Sequence, residues 1–213
     1  MNEIDNKTER KNREKEFKQK IILQAAKQLF EVKGYNNTTL ADIATEAGFA
    51  KGTLYLYFKN KSEIILYLIL ELKEDFSIEL DNILNSKTDS RAKFKMIQNS
   101  FSDLVLYKIE KIGVYDFLKD ITFKELEQST IGEKFCEYES GVISLFKKIV
   151  IQGKKEGIID PNLDPQSTAI LLDTLMEGVI HKFATYDKIP LYENLTKKEF
   201  LNKIFSLLAR IFK

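Results

Sequence analysis

TTLADIATEAGFAKGTLYLYFKNK, residues 38–61, decides how this 213-residue chain is read. Thr39 stands where its hydroxyl can accept a backbone N–H three residues on and Asp42 can reach back to it, the reciprocal pattern that opens a helix. Leu40, Ile43, Ala44 and Ala47 then share one apolar face, and Gly48 supplies the left-handed backbone that stops the helix. A second short helix is predicted over residues 51–58. At about 100° per residue it gathers Leu54 and Phe58 on one side and leaves Gly52, Thr53, Leu56 and Tyr57 on the other. This is a helix-turn-helix whose outer side suits a DNA major groove. Lys51 can donate to phosphate or guanine, Thr53 can meet a base edge or a thymine methyl, and Gly52 lets the backbone come close. Leu56 could meet thymine methyls there, or be one of the scattered apolar residues that any surface carries.

Residues 1–14 are almost wholly polar and of mixed charge, which predicts a mobile arm. Its Lys7, Arg10, Lys11 and Arg13 could touch phosphates or simply be solvated. Over residues 14–32, Phe17, Ile21, Ala25, Leu29 and Phe30 recur at helical spacing, and Gly34 closes that helix. Asn60 and Glu63 form a cap for a long helix through Ile64, Ile65, Leu68, Leu72, Phe76 and Leu80. The run NSKTDS at 85–90 breaks it. Further helices are predicted over residues 91–111, 114–126, 131–156, 165–186 and 196–212. They are punctuated by Gly113, Gly157, Asp164 followed by Pro165, and the Thr196/Glu199 pair. No strand pattern of comparable strength occurs. The expected fold is all-α with about nine helices: an arm (1–14), a three-helix DNA-binding head (15–61) and a helical effector-binding and dimerisation domain (62–213).

The chain is 44% hydrophobic with a net charge of +1. Divided at residue 61, the head carries 12 Lys and Arg against 8 Asp and Glu, the remainder 21 against 24. DNA affinity must therefore rest on a few placed cations and on pairing of two heads. One cysteine, Cys136, excludes an intramolecular disulfide and reads as a small buried hydrophobe. The absence of a signal-peptide pattern and of any long apolar run points to a cytoplasmic protein without a membrane partner. Catalysis lacks candidates: His181 is the sole histidine and has no triad setting, and no phosphate-cradling glycine motif or metal-ligand cluster is visible. No catalytic residue, metal or cofactor is expected.

The motifs Phe30 to Tyr35 (F-x-x-K-G-Y), TTLADIA from Thr38, EAG at Glu46 to Gly48 and KGTLYLYFKNK from Lys51 resemble the TetR family of bacterial and archaeal transcription regulators, in identities and in every interval. The resemblance implies DNA contacts at Thr39, Lys51, Gly52, Thr53, Tyr55, Tyr57 and Lys61, with Thr38 a lesser candidate; Leu56 is added from the helical wheel. Leu40, Ile43, Leu54 and Phe58 would be structural. Where the family commonly has Ser or Thr before the Lys-Gly pair, this chain has Ala50, so that cap is lost. The segment GIIDPNLDP at 157–165 and the following helix ending MEG also resemble the C-terminal domains of such regulators.

A two-fold operator needs two heads, so part of the body should self-associate. Ile170, Leu171, Leu175 and Val179 on one helix and Phe200, Ile204, Phe205 and Leu208 on the last could form a four-helix bundle with a second subunit. The resemblance also implies a small-molecule cavity among the middle helices, which are rich in aromatics: Phe101, Tyr107, Tyr115, Phe117, Phe123, Phe135 and Tyr138. Glu177 and His181 are further candidates, and Glu139 and Glu177, in apolar surroundings, could be paired or ligand-facing. His181 otherwise reads as a solvent-facing or hydrogen-bonded helix residue. The expected function is a homodimeric repressor released from double-stranded operator DNA by a small hydrophobic or aromatic effector. The alternative is a regulator of the same type without a ligand or acting as an activator; an interaction module or an enzyme fits less well.

Overall fold

The computed structural model describes residues 3–114, 117, 130–184 and 195–211. Every regular element among them is helical. Helix α1 (Glu3–Lys33) buries Ile22, Ala26 and Phe30. It begins well before the predicted start, so the expectation of a mobile arm at 1–14 is corrected for residues 3–14. That stretch contains neither Gly nor Pro, and Glu9–Arg13 (3.8 Å) and Glu14–Lys18 (2.7 Å) are i,i+4 pairs. Helix-forming residues and alternating charge thus sustain the helix, with residues 8–14 exposed. Phe17, expected on the apolar face, is exposed.

Helix α2 (Leu40–Glu46) is opened by the Thr39/Asp42 capping box in both directions, and Gly48 follows it at φ 72°. Helix α3 (Lys51–Leu54) is shorter than predicted. Its continuation tightens into i→i−3 bonds, Leu56 N–H to Thr53 O (3.1 Å) and Tyr57 N–H to Leu54 O (2.9 Å). Ala50 offers it no side-chain cap. Helix α4 (Lys61–Asn85), capped by Asn60, then runs out of the head while burying apolar residues along its length, from Ile64 to Ile83.

Helix α5 (Ser90–Asp103) passes into a π-helical turn (Leu104–Lys108) and a last turn (Ile109–Lys111). Gly113, at φ 74°, lies flat on Tyr35, and a Cβ there would sit 3.0 Å from the Tyr35 Cβ. The helix predicted over 114–126 falls outside the described residues except for Val114 and Phe117, both buried. Helices α6 (Thr130–Lys155) and α7 (Pro165–Ala184) fold back on each other around Gly157, at φ 71°. Helix α8 (Lys197–Leu208) starts at the predicted Thr196/Glu199 box.

One apolar core runs through both halves of the molecule, from Ile22, Ile43 and Leu54 to Phe101, Val142 and Phe205. This revises the expected dimer surface. Val179 and Phe205 are buried within the subunit, Phe205 against the rings of Phe94 and Phe101. Phe200, Ile204 and Leu208 also pack partly onto this core, so the apolar face of α8 is largely consumed internally. Ile170, Leu171 and Leu175 remain exposed on α7. Among the described residues no helix is long and apolar enough to cross a membrane.

Candidate nucleic-acid interface and ligand cavity

Helix α3 is anchored by Leu54 and Phe58, which are 0% and 1% exposed. Its other side is open: Lys51, Gly52, Tyr55 and Leu56 are exposed and Thr53 is half-buried. Leu56 retains 76% of its accessible surface, and a side chain at Gly52 would meet nothing. Tyr57 lies half-buried against the core. Lys11, Lys15 and Lys18 of α1 line a surface hollow together with Leu56 and Tyr57, so the unexpected N-terminal extension places cations beside α3.

Two predicted contacts are instead structural. Thr38 is buried, and its hydroxyl donates to Gly34 O (2.8 Å). Lys61 turns inward, its Nζ donating to Tyr35 O (2.7 Å) and Thr38 O (2.9 Å) while lying 4.2 Å from the Tyr35 ring centroid. Partial burial pulls its pKa down. The lysine ties together carbonyls of the loop before α2, adding to the Thr38 N–H bond that Tyr35 O already accepts (3.3 Å). Thr39 is exposed, but its hydroxyl and backbone N–H are both held by Asp42 (2.8 and 2.9 Å). Those bonds from Thr39 hold the Asp42 carboxyl below the usual range.

A half-open cavity of about 830 Å³ lies in the body between α4, α5, the Val114/Phe117 segment, α6 and α7. Of the predicted ligand residues, Phe101, Phe117, Phe135, Tyr138, Glu177 and His181 line it. Tyr107 does not line it and is exposed. The π-helical turn at Leu104–Lys108 rotates the register of a helix that the sequence reads as regular. Tyr115 and Phe123 lie outside the described residues. Cys136 is exposed at the lining rather than a buried hydrophobe, and His181 is exposed at its edge.

One end of the cavity is charged: the sequence points to Glu139 and Glu177 there but gives no sign of Lys73 and Asp173. Lys73 of α4 bonds Glu177 of α7, and its Nζ lies 5.0 Å from the Tyr138 ring centroid and 5.8 Å from that of Phe135. Asp173 and Glu139 belong to the same group. Burial, then repulsion from Glu177, pushes the Asp173 carboxyl up to about 6. Burial and Glu177 likewise raise Glu139, and burial raises the Tyr138 hydroxyl. Glu177 and Asp173 lie a helical turn apart on α7, whereas Lys73 is about a hundred positions away in the chain, so only folding assembles the cluster.

Residues 22–68 match the family model described as "Bacterial regulatory proteins, tetR family". The chain's head is a TetR-family DNA-binding domain. The Bacillus subtilis fatty acid metabolism regulator protein is 29% identical over 145 residues, covering 67% of this chain and 71% of that protein. Among solved structures, the fatty acid degradation regulator FadR of Bacillus halodurans superposes with a TM-score of 0.64 at 24% identity, covering 90% of this chain and 94% of that one. FadR of Bacillus subtilis in complex with stearoyl-CoA gives 0.62 at 23%, covering 89% and 96%. These structural likenesses establish the fold. A chain with this TetR-type head is a DNA-binding transcription regulator, and the relatives it matches are regulators rather than enzymes.

Proposed function

We propose that the protein is a ligand-responsive repressor that reads a two-fold operator as a homodimer, with Lys51, Gly52, Thr53, Tyr55 and Leu56 facing the groove and Thr39 and Tyr57 beside it. In this division residues up to 61 read DNA, and the remainder bind the effector and a second subunit. The carrying observation is that α4 begins inside the head at Lys61 and lines the cavity at Leu66, Ile69, Leu72, Lys73 and Phe76. One rigid element therefore belongs to both sites.

A second contact supports the coupling. Phe117 of the cavity meets Tyr35 edge-on at 5.6 Å, and Tyr35 lies under Lys61 in the loop before α2. Lys111 and Glu31 join the same junction at 3.0 Å. An effector that moves Phe117 or α4 would shift the loop that seats the helix-turn-helix, and differential affinity for the two arrangements would release DNA. The apolar lining suits a hydrophobic or aromatic molecule, and FadR of Bacillus subtilis was solved with stearoyl-CoA. The test is selection of operator duplexes from a random pool, then gel shift with and without cavity-binding compounds. Compounds that bind yet leave operator affinity unchanged would contradict the coupling.

A further inference from the structure

The charged end of the cavity has the wrong sign for an acyl-coenzyme A ester. Among the described residues the lining bears five carboxylates, Glu133, Glu137, Glu139, Asp173 and Glu177, against one lysine, and that lysine is already bonded by Glu177. Coenzyme A brings several phosphate charges that need cations around them. Such a lining repels them.

We infer that the effector is a lipophilic organic cation, a compact aromatic or branched apolar body carrying one positive charge; this rests on the reading of the cavity as an effector site. The apolar body would occupy the part of the cavity walled by Leu66, Phe76, Phe101, Leu104 and Phe146. Its charge would sit among Asp173, Glu139 and the Tyr138 ring. Lys73 shows that this corner accepts a cation, since its ammonium already lies over the Tyr138 and Phe135 faces. Yet Lys73 bonds only one of the three nearby carboxylates, Glu177. Asp173 and Glu139 are left as partly buried charges that a second cation would pair with, and pairing offsets the penalty of their burial. A divalent metal ion fits less well, because among the described residues no three His, Cys, Asp or Glu groups converge as metal ligands. An apolar cavity of this volume would also be wasted on a bare ion.

Titration calorimetry of the full chain with tetraphenylphosphonium, tetraphenylborate and neutral triphenylphosphine oxide tests this, because the two ions share shape and differ in sign. The phosphonium should bind at least about tenfold tighter than the borate, roughly 1.4 kcal/mol. Asp173→Asn and Glu139→Gln should each weaken it by about fivefold or more while changing the neutral compound by less than about twofold. Phosphonium binding should also release operator DNA in a gel shift. The phosphonium-to-borate ratio is measured on the unmodified protein, so a variant that fails to fold does not blunt the test. Borate binding as tight as phosphonium binding, or carboxyl variants without effect on a bound phosphonium, would overturn the cationic class. Binding of the neutral compound with operator release would still leave the cavity reading standing. No binding by any of the three would overturn both.

Discussion

Two lysines of the head carry the same charge and do opposite work. Lys51 is exposed on the open side of α3, whereas Lys61 is spent on the carbonyls of Tyr35 and Thr38. Lys51→Ala should weaken operator binding several-fold, leave thermal stability within about 0.5 kcal/mol, and reduce the salt slope of log K by about 1. Lys61→Ala should instead lower stability by about 1–3 kcal/mol, because it removes two charge-assisted bonds to the loop carbonyls of Tyr35 and Thr38 and the packing on the Tyr35 ring. Denaturant titration paired with salt-dependent gel shifts separates the two. A lysine on a flexible stem can point either way from the same sequence, so the family motif alone placed Lys61 at DNA. Asp173 offers a further residue-scale test. Its folded pKa, about 6, lies above the ordinary value of 3.8, so the fold favours the protonated carboxyl, and stability is lost as pH rises from about 4 to 6. Asp173→Asn should therefore raise the melting temperature above pH 7 and change little at pH 4. Solvent reaches this group, so the gain is discounted to about 1 kcal/mol, or roughly 2–4 °C by calorimetry.

At the scale of elements, the head was legible because its boundaries are written locally. The Thr39/Asp42 box, Gly48 and Asn60 each act within four residues of their own position, and the structure places all three where the sequence does. Helix α3 shows the limit of that legibility. Ala50 was read as a missing cap, yet the pattern of Leu54 and Phe58 still suggested a helix to residue 58. Ala50→Ser should supply the absent acceptor and stabilise α3 by about 0.5–2 kcal/mol, measurable as slower amide exchange at residues 52–54. Tyr107 was misplaced for another reason: periodicity counts residues, and the π-helical turn changes how many make a turn. The buried Lys93, which ties Leu84 O (2.7 Å) of α4 to Gln152 (3.1 Å) of α6, gave no sequence signal at all. Gln152 is remote in the chain, Leu84 lies across the break between two helices, and lysine at a helical position ordinarily reads as surface.

For the whole molecule, assembly turns on which apolar surface is left over. Burial of Val179 and Phe205 removes much of the face expected on the last helix and leaves Ile170, Leu171 and Leu175 on α7, with Ile151 exposed on neighbouring α6. Joining two such α6–α7 faces would bring two heads together with the same polarity, as an isologous pair requires. Leu171→Glu and Leu175→Glu should convert a dimer to monomers in sedimentation velocity while leaving helix content unchanged, and should weaken operator binding by more than either lysine change in the head. Helix α4 also dictates where regulators of this kind can trade parts. Its first residue clamps the loop before α2 and its middle lines the cavity, so a crossover at residue 61 would give one parent's head another parent's lever. Recombination that joins the chains after Ser86, where the rod ends, would keep head and lever matched. It would exchange Tyr138, Glu139, Asp173 and Glu177 while keeping Lys73, so the sign of charge a pocket accepts would travel with the incoming body, and the retained lysine would demand a carboxylate partner from every new one.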